Sequence, residues 1–152
     1  LDQMIKNFKK KKIYYYSNAY PLPSRYPDGM DIEIFTYRTL KKTYKKAILP
    51  SEKEHVTNYM WKKNNFKIAK KNIKEDLSNY RFTIDYKKDY IFLCKVIDSF
   101  GKDKINSISM KDLINFTKKN LDLISYQKKI KRNQGCKNVL IKDKKFLLNS
   151  KP

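Results

Sequence analysis

A chain of 152 residues with 36 Lys plus Arg against 15 Asp plus Glu carries a formal charge of +21, yet its 40% hydrophobic content includes 12 Tyr and 8 Phe. That length and aromatic mass fit one domain with a real core and exclude a wholly disordered basic tail. No apolar run is long enough to span a membrane, and residues 1–12 lack a signal-peptide pattern. Cys94 and Cys136, without CxxC spacing, predict thiols of a reducing cytoplasm.

Leu1, Met4, Ile5 and Phe8 follow the i, i+3, i+4, i+7 spacing of an amphipathic helix that starts without a cap. Residues 13–17 form a short β-prone run, and 21–29, rich in proline and closed by Asp28-Gly29, predict a loop. Apolar Met30, Ile32 and Ile34 alternate with Asp31, Glu33 and Phe35, the period of a half-buried strand. Thr36 is placed to cap a helix over 37–47, with Leu40 and Tyr44 on one face. Ser51 and Glu54 read as a capping box opening a helix that continues through His55, Val56, Tyr59, Met60 and Trp61. Asn64 and Asn65 break that pattern, and 66–73 predict an edge strand.

Residues 81–85 alternate again and predict a strand, followed by an apolar helix over 89–100 closed by Gly101. Ser109 and Asp112 start a further helix with Leu113, Ile114 and Phe116. The end of the chain is basic and less periodic, with a turn signal at Asn133-Gln134-Gly135 and a β-prone or helical Phe146-Leu147-Leu148. Strands alternating with helices predict an α/β fold. No strand is the continuous Val/Ile run of a central parallel strand, so the chain reads as one flank of a sheet whose centre lies elsewhere.

The charge has two readings. Of the basic residues 32 are Lys and four are Arg, and Lys, Asn and Ile together make 61 of the 152 residues, all with A/T-rich codons. A solvated, codon-biased surface is one reading and a nucleic-acid face the other, although such a face more often enriches Arg.

Three glycines cannot build a glycine-rich phosphate cradle, and a single histidine excludes His-cluster metal sites. Carboxylates remain. Asp28, Asp31 and Glu33 surround the YPDG turn and the following strand; if Met30, Ile32 and Ile34 face the core, Asp31 and Glu33 share the opposite face, which meets either solvent or a polyhydroxy ligand or cation. Asp85 falls at the end of its expected strand, just ahead of a helix. There it suits Mg²⁺, which takes one or two carboxylates plus phosphate oxygens, or equally a helix cap or turn former. His55 reads as a structural hydrogen bonder or a base, and Glu54 as a capping partner.

The strings YPDGMDIEIF over 26–35, PSEKEHVT over 50–57 and RFTIDY over 81–86, in that order, resemble the spore-coat polysaccharide branch of the cytidylyltransferases. These are relatives of the CMP-Kdo and CMP-acylneuraminate synthetases. The resemblance covers roughly residues 1–140. It implies a nucleotide-diphosphosugar transferase-like, Rossmann-like α/β sandwich, with residues 1–152 as the carboxyl-terminal part of one domain. It also implies transfer of CMP from CTP to an acidic sugar, releasing pyrophosphate, for cell-surface polysaccharide. By this similarity Asp85 helps hold Mg²⁺, Glu54 and His55 contact the sugar, and Asp28, Asp31 and Glu33 lie in the acceptor segment.

The sequence departs from the family where Tyr86-Lys87-Lys88-Asp89 replaces the usual Tyr-Pro-Glu-Asp. The family's nucleotide loop and its other metal carboxylate would precede Leu1. The chain is therefore expected to be inactive alone, and to associate, as a homodimer or otherwise, through an apolar face. The competing expectation is a small basic nucleic-acid-binding domain.

Overall fold

The computed structural model describes residues 1–62, 66–125, 130 and 134–149. In chain order the elements are α1 (Asp2–Lys10), β1 (Tyr15–Ser17), β2 (Glu33–Phe35), α2 (Tyr37–Lys46), α3 (Pro50–Glu54), α4 (Asn58–Lys62), β3 (Ile68–Lys70), α5 (Lys87–Phe100), a 3₁₀ turn (Lys102–Ser107), α6 (Met110–Lys119), a second 3₁₀ turn (Leu121–Ile124) and α7 (Gln134–Asn149). They fall into two compact units. One comprises Leu1–Tyr26, Asp31–Asp76 and Asn133–Pro152, and the other Pro27–Met30 and Leu77–Arg132. Among the described residues no helix is long and apolar enough to cross a membrane.

The first unit is built on a three-stranded mixed sheet of order β2-β1-β3. β1 pairs antiparallel with β2, Tyr16 opposite Ile34 and Ser17 opposite Glu33, and parallel with β3, Tyr16 opposite Ala69. One face of this register carries Tyr16, Ile34 and Ala69. With Ile32, these pack on Met4, Phe8 and Ile13, so the apolar stripe of α1 finds its partner here. All three residues of β1 are buried. The central strand is thus made of Tyr and Ser rather than Val and Ile, which is why composition hid it. β3 is an edge strand as expected, shorter than 66–73.

Thr36 caps α2, its hydroxyl accepting from Thr39 N at 3.1 Å. Its buried positions are Thr39 and Thr43, and Tyr44 is 86% exposed. The Thr39 hydroxyl donates to Tyr14 O at 3.3 Å, so this interface is held by hydroxyls as well as by apolar contact.

The expected capping box at Ser51 and Glu54 is also corrected. Leu49 is the cap position, Pro50 opens α3, and the carboxylate that reaches back is Glu52, accepting from Ile48 N at 3.0 Å and Leu49 N at 3.2 Å. Proline at the first helical position sets the frame two residues earlier than the Ser-x-x-Glu spacing suggested. The helix stops at Glu54, and Tyr59 to Trp61 lie on a separate helix, α4. Gln134 and Gly135 begin α7 rather than a turn, Phe146 to Leu148 are helical, and Asn133, Asn64 and Asn65 lie outside the described residues.

The second unit packs Phe92, Val96 and Ile124 with Phe82, Leu93, Phe100, Leu113 and Phe116. Helix α5 ends at Gly101, whose φ of +81° suits glycine. Ser109 and Asp112 cap α6 reciprocally: Asp112 N donates to the Ser109 hydroxyl at 3.2 Å, and Ser109 N to the Asp112 carboxylate at 3.0 Å. The expected strand over 81–85 does not form. In its place Asp28 and Arg81 make one isolated parallel bridge, Asp28 N donating to Tyr80 O at 2.9 Å and Phe82 N to Asp28 O at 2.8 Å.

Candidate functional site

In the second unit, the YPDG turn and the RFTID segment meet through a single guanidinium. Gly29 allows the approach: at φ +88°, a Cβ there would lie 2.6 Å from Phe82 O. Arg81, 9% exposed at its side chain, donates from Nη1 to Asp28 at 2.7 Å and from Nη2 to Asp89 at 3.1 Å, and it also pairs with Asp85. Asp89 is fully buried and accepts in addition from Asp85 N at 3.0 Å and Tyr86 N at 3.1 Å, which closes the amino end of α5. The guanidinium also lies 5.8 Å from the Tyr86 ring centre. Burial works against the charge on Arg81. The hydrogen bonds to Asp89 and Asp85 and the charge of Asp28 outweigh it, holding its pKa above the ordinary value.

Asp85 therefore neither ends a strand nor caps a helix; it is a 62% exposed carboxylate leaning on Arg81. Among the described residues no group of three or more His, Cys, Asp or Glu side chains is arranged to hold a metal ion. The point where three carboxylates do converge is filled by a guanidinium. Asp85 can offer one carboxylate to a hard cation, the minimum for Mg²⁺ held mainly by phosphate oxygens and water, in competition with Arg81. Arg81 and Asp89 were missed from sequence. Their signal was there: in a chain that spells almost every basic residue Lys, an Arg followed by Asp at four and eight residues marks a place where a forked, permanently charged donor is needed.

The other expected residues belong to the first unit. Glu33 lies half-buried on β2, on the face opposite Ile34. Burial raises its pKa against the lowering effect of the Thr57 and Tyr15 hydroxyls beside it, and the charge of Asp31 adds to the rise. Tyr15 is wholly buried, and burial together with Glu33 pushes its phenol far up. Asp31 itself is exposed. Asp28 thus serves a different cluster from Asp31 and Glu33, although the three are close in sequence.

Glu54 ends α3 and pairs with Lys142 at 3.0 Å. His55 follows at the helix terminus, its N donating to Ser51 O at 3.0 Å, while its Nε2 is buried with no hydrogen-bond partner among the described residues. Sequence reasoning also missed an aromatic pair in this unit, Tyr20 stacked on Trp61 with ring centres 4.9 Å apart and planes 13° from parallel. A groove of about 560 Å³ between α2 and α3, lined by Leu40, Thr43, Tyr44, Ala47, Glu52, Lys53 and Val56, contains none of the expected ligands.

No protein-family profile matches the chain, and no curated protein does. Among solved structures, a cytidylyltransferase from Leptospira borgpetersenii serovar Hardjo-bovis (strain JB197) is similar, at 34% identity with a TM-score of 0.71. The match covers 81% of this chain and 51% of that chain, so the chain spans about half the length of the enzyme it matches. Over four-fifths of its residues, then, this mixed α/β chain is similar in both sequence and structure to a cytidylyltransferase, which supports a nucleotidyltransferase-like function.

Proposed function

We propose that the chain works in a cytidylyltransferase that joins CMP to an acidic sugar for cell-surface polysaccharide. The observation that supports this is the 34% identity to the Leptospira cytidylyltransferase over most of the chain, together with three strings that resemble the polysaccharide branch of that family. In the reaction a sugar hydroxyl oxygen attacks the α-phosphorus of CTP, the bond from that phosphorus to the bridging oxygen breaks, and pyrophosphate leaves with its electron pair. The hydroxyl proton is lost to a base. A bound Mg²⁺ would supply charge neutralisation at the phosphates, and Asp85 is the carboxylate here that would help hold it.

The residues of this chain are assigned to the acceptor side. Glu33, half-buried between two hydroxyl-bearing side chains, suits hydrogen bonding to a polyhydroxy ligand. Glu54 and His55 stand together at the end of α3, where a carboxylate and an imidazole can orient sugar hydroxyls. The Arg81 cluster would hold the YPDG and RFTID segments in register.

Sugar binding tests the assignment directly. The chain has one histidine, so its imidazole signals are unambiguous in an NMR titration. N-acetylneuraminate or Kdo should move them saturably and glucose should not; if neither acidic sugar perturbs His55, the acceptor assignment fails.

A second reading has its own observation. Helix α2 carries Arg38, Lys41, Lys42, Lys45 and Lys46 with no acidic residue, and Tyr37 and Tyr44 stand 77% and 86% exposed, seven residues apart. Aromatics interleaved with lysines suit single-stranded nucleic acid. Binding that persists as salt rises would favour it, since purely electrostatic attachment collapses with salt.

A further inference from the structure

Helix α3 has five residues, too few to hold its own shape in water. Its geometry is imposed through Ser51, which is 1% exposed and has every polar group engaged. Ser51 N donates to the Asp143 carboxylate at 2.8 Å, and its hydroxyl accepts from Lys62 Nζ at 3.3 Å. Its carbonyl accepts from Asn58 Nδ2 at 3.1 Å and from His55 N at 3.0 Å.

Asp143 lies on α7, 92 positions further along the chain, and is 6% exposed. The preceding residue, Lys142, pairs with Glu54. One turn of α7 thus grips α3 at its second residue and at its last. The backbone link from His55 N to Ser51 O ties the start of the His55 side chain to Ser51, and among the described residues its Nε2 meets no hydrogen-bond partner.

We infer that α7 sets the position of the Glu54–His55 pair, with Asp143 as a positioning residue acting through Ser51. A buried carboxylate accepting a backbone N–H makes a strong, directional hydrogen bond, and losing it frees the segment that carries both side chains. That the pair contacts the acceptor sugar is the reading proposed above; the positioning is tested independently of it.

The experiment uses Asp143→Ala and Asp143→Asn in the full chain, read by the Ser51 amide, the His55 imidazole and the indole signal of Trp61, the one tryptophan. Asp143→Ala should displace or broaden the Ser51 and His55 signals. Asp143→Asn, which keeps an acceptor oxygen without the charge, should move them in the same direction and less far. Binding of N-acetylneuraminate should weaken about tenfold in Asp143→Ala, the scale of one lost charge-assisted hydrogen bond.

His55 signals at their parent positions in a folded Asp143→Ala chain overturn the inference. If the Trp61 signal shows that Asp143→Ala does not fold, Asp143→Asn decides: a displaced Ser51 amide with an unmoved His55 overturns it. Displaced His55 signals with unchanged sugar binding uphold the positioning and remove the sugar-contacting role from the pair.

Discussion

Replacing Asp89 by Asn keeps the shape of a fully buried side chain and removes its charge. The carboxylate accepts from Asp85 N at 3.0 Å, from Tyr86 N at 3.1 Å, and from Arg81 Nη2 at 3.1 Å and Nε at 3.4 Å. Three of these donors meet Oδ2 and one meets Oδ1, so an amide with its oxygen at the Oδ2 position keeps three uncharged hydrogen bonds and turns its N–H₂ group toward Arg81 Nε, a donor that it cannot serve. A hydrogen bond to a charged group contributes about 1.5–3 kcal/mol, and breaking a buried ion pair costs about 3–5 kcal/mol. Asp28 and Asp85 remain on the guanidinium, so the lower end of that range applies, about 3 kcal/mol. A lost helix cap alone would cost about 0.5–2 kcal/mol. Urea denaturation followed by far-UV circular dichroism measures the loss, and hydrogen exchange of the first amides of α5 should accelerate with it. A destabilisation under about 1 kcal/mol, the value of a surface pair, would refute the view that Asp89 anchors this cluster.

Gly29→Ala forces a Cβ to 2.6 Å from Phe82 O at a φ of +88°; the conformation alone costs about 1–2 kcal/mol and the backbone contact adds to it, so a melting temperature equal to the parent's would contradict the close approach. Glu33 has a raised folded-state pKa, so its stabilising contribution is present below the ordinary value of 4.5 and is lost as pH rises through the folded value. Denaturation midpoints of Glu33→Gln should therefore lack the parent's fall over that window, and parallel pH curves would contradict the burial argument. Asp85→Asn should leave the melting temperature nearly unchanged, because the residue is 62% exposed. Pyrophosphate release by the chain combined with the unmatched part of the Leptospira enzyme should fall by orders of magnitude in this variant, and near-normal turnover at saturating Mg²⁺ would remove Asp85 from the metal. Exposed Tyr44, Ile48 and Leu148, at 86%, 61% and 69%, predict self-association that strengthens as salt screens the +21 charge; light scattering showing a monomer at every ionic strength would contradict it.

Helices α1 and α6 were legible because their signals are local: an apolar stripe at helical spacing in one, a Ser and an Asp three residues apart in the other. Gly101 marked the end of α5 for the same reason. The α3 frame was misread because two capping patterns overlap in the same six residues, and Pro50 decides between them only through its fixed φ. Alternation over 81–85 mimicked a strand, although Arg81 and Asp85 point together at an ion cluster whose other members lie at Asp28 and Asp89. Such clusters depend on long-range approach, here permitted by Gly29, which no local pattern encodes. The link from Asp143 to Ser51 spans 92 positions and was likewise out of reach. The grouping of the expected site residues was not legible: Asp28 joined Arg81, while Glu33 lies beside Thr57 and Tyr15.

We propose that this chain supplies the acceptor-sugar side of a cytidylyltransferase. Pyrophosphate release from CTP measures it most directly, using the chain combined with the part of the Leptospira enzyme that it does not match, in the presence of N-acetylneuraminate or Kdo. Release should depend on the acidic sugar, with Glu54→Gln and His55→Ala raising the sugar KM more than the CTP KM. Release that ignores the sugar, or equal losses on both substrates in the two variants, would contradict it.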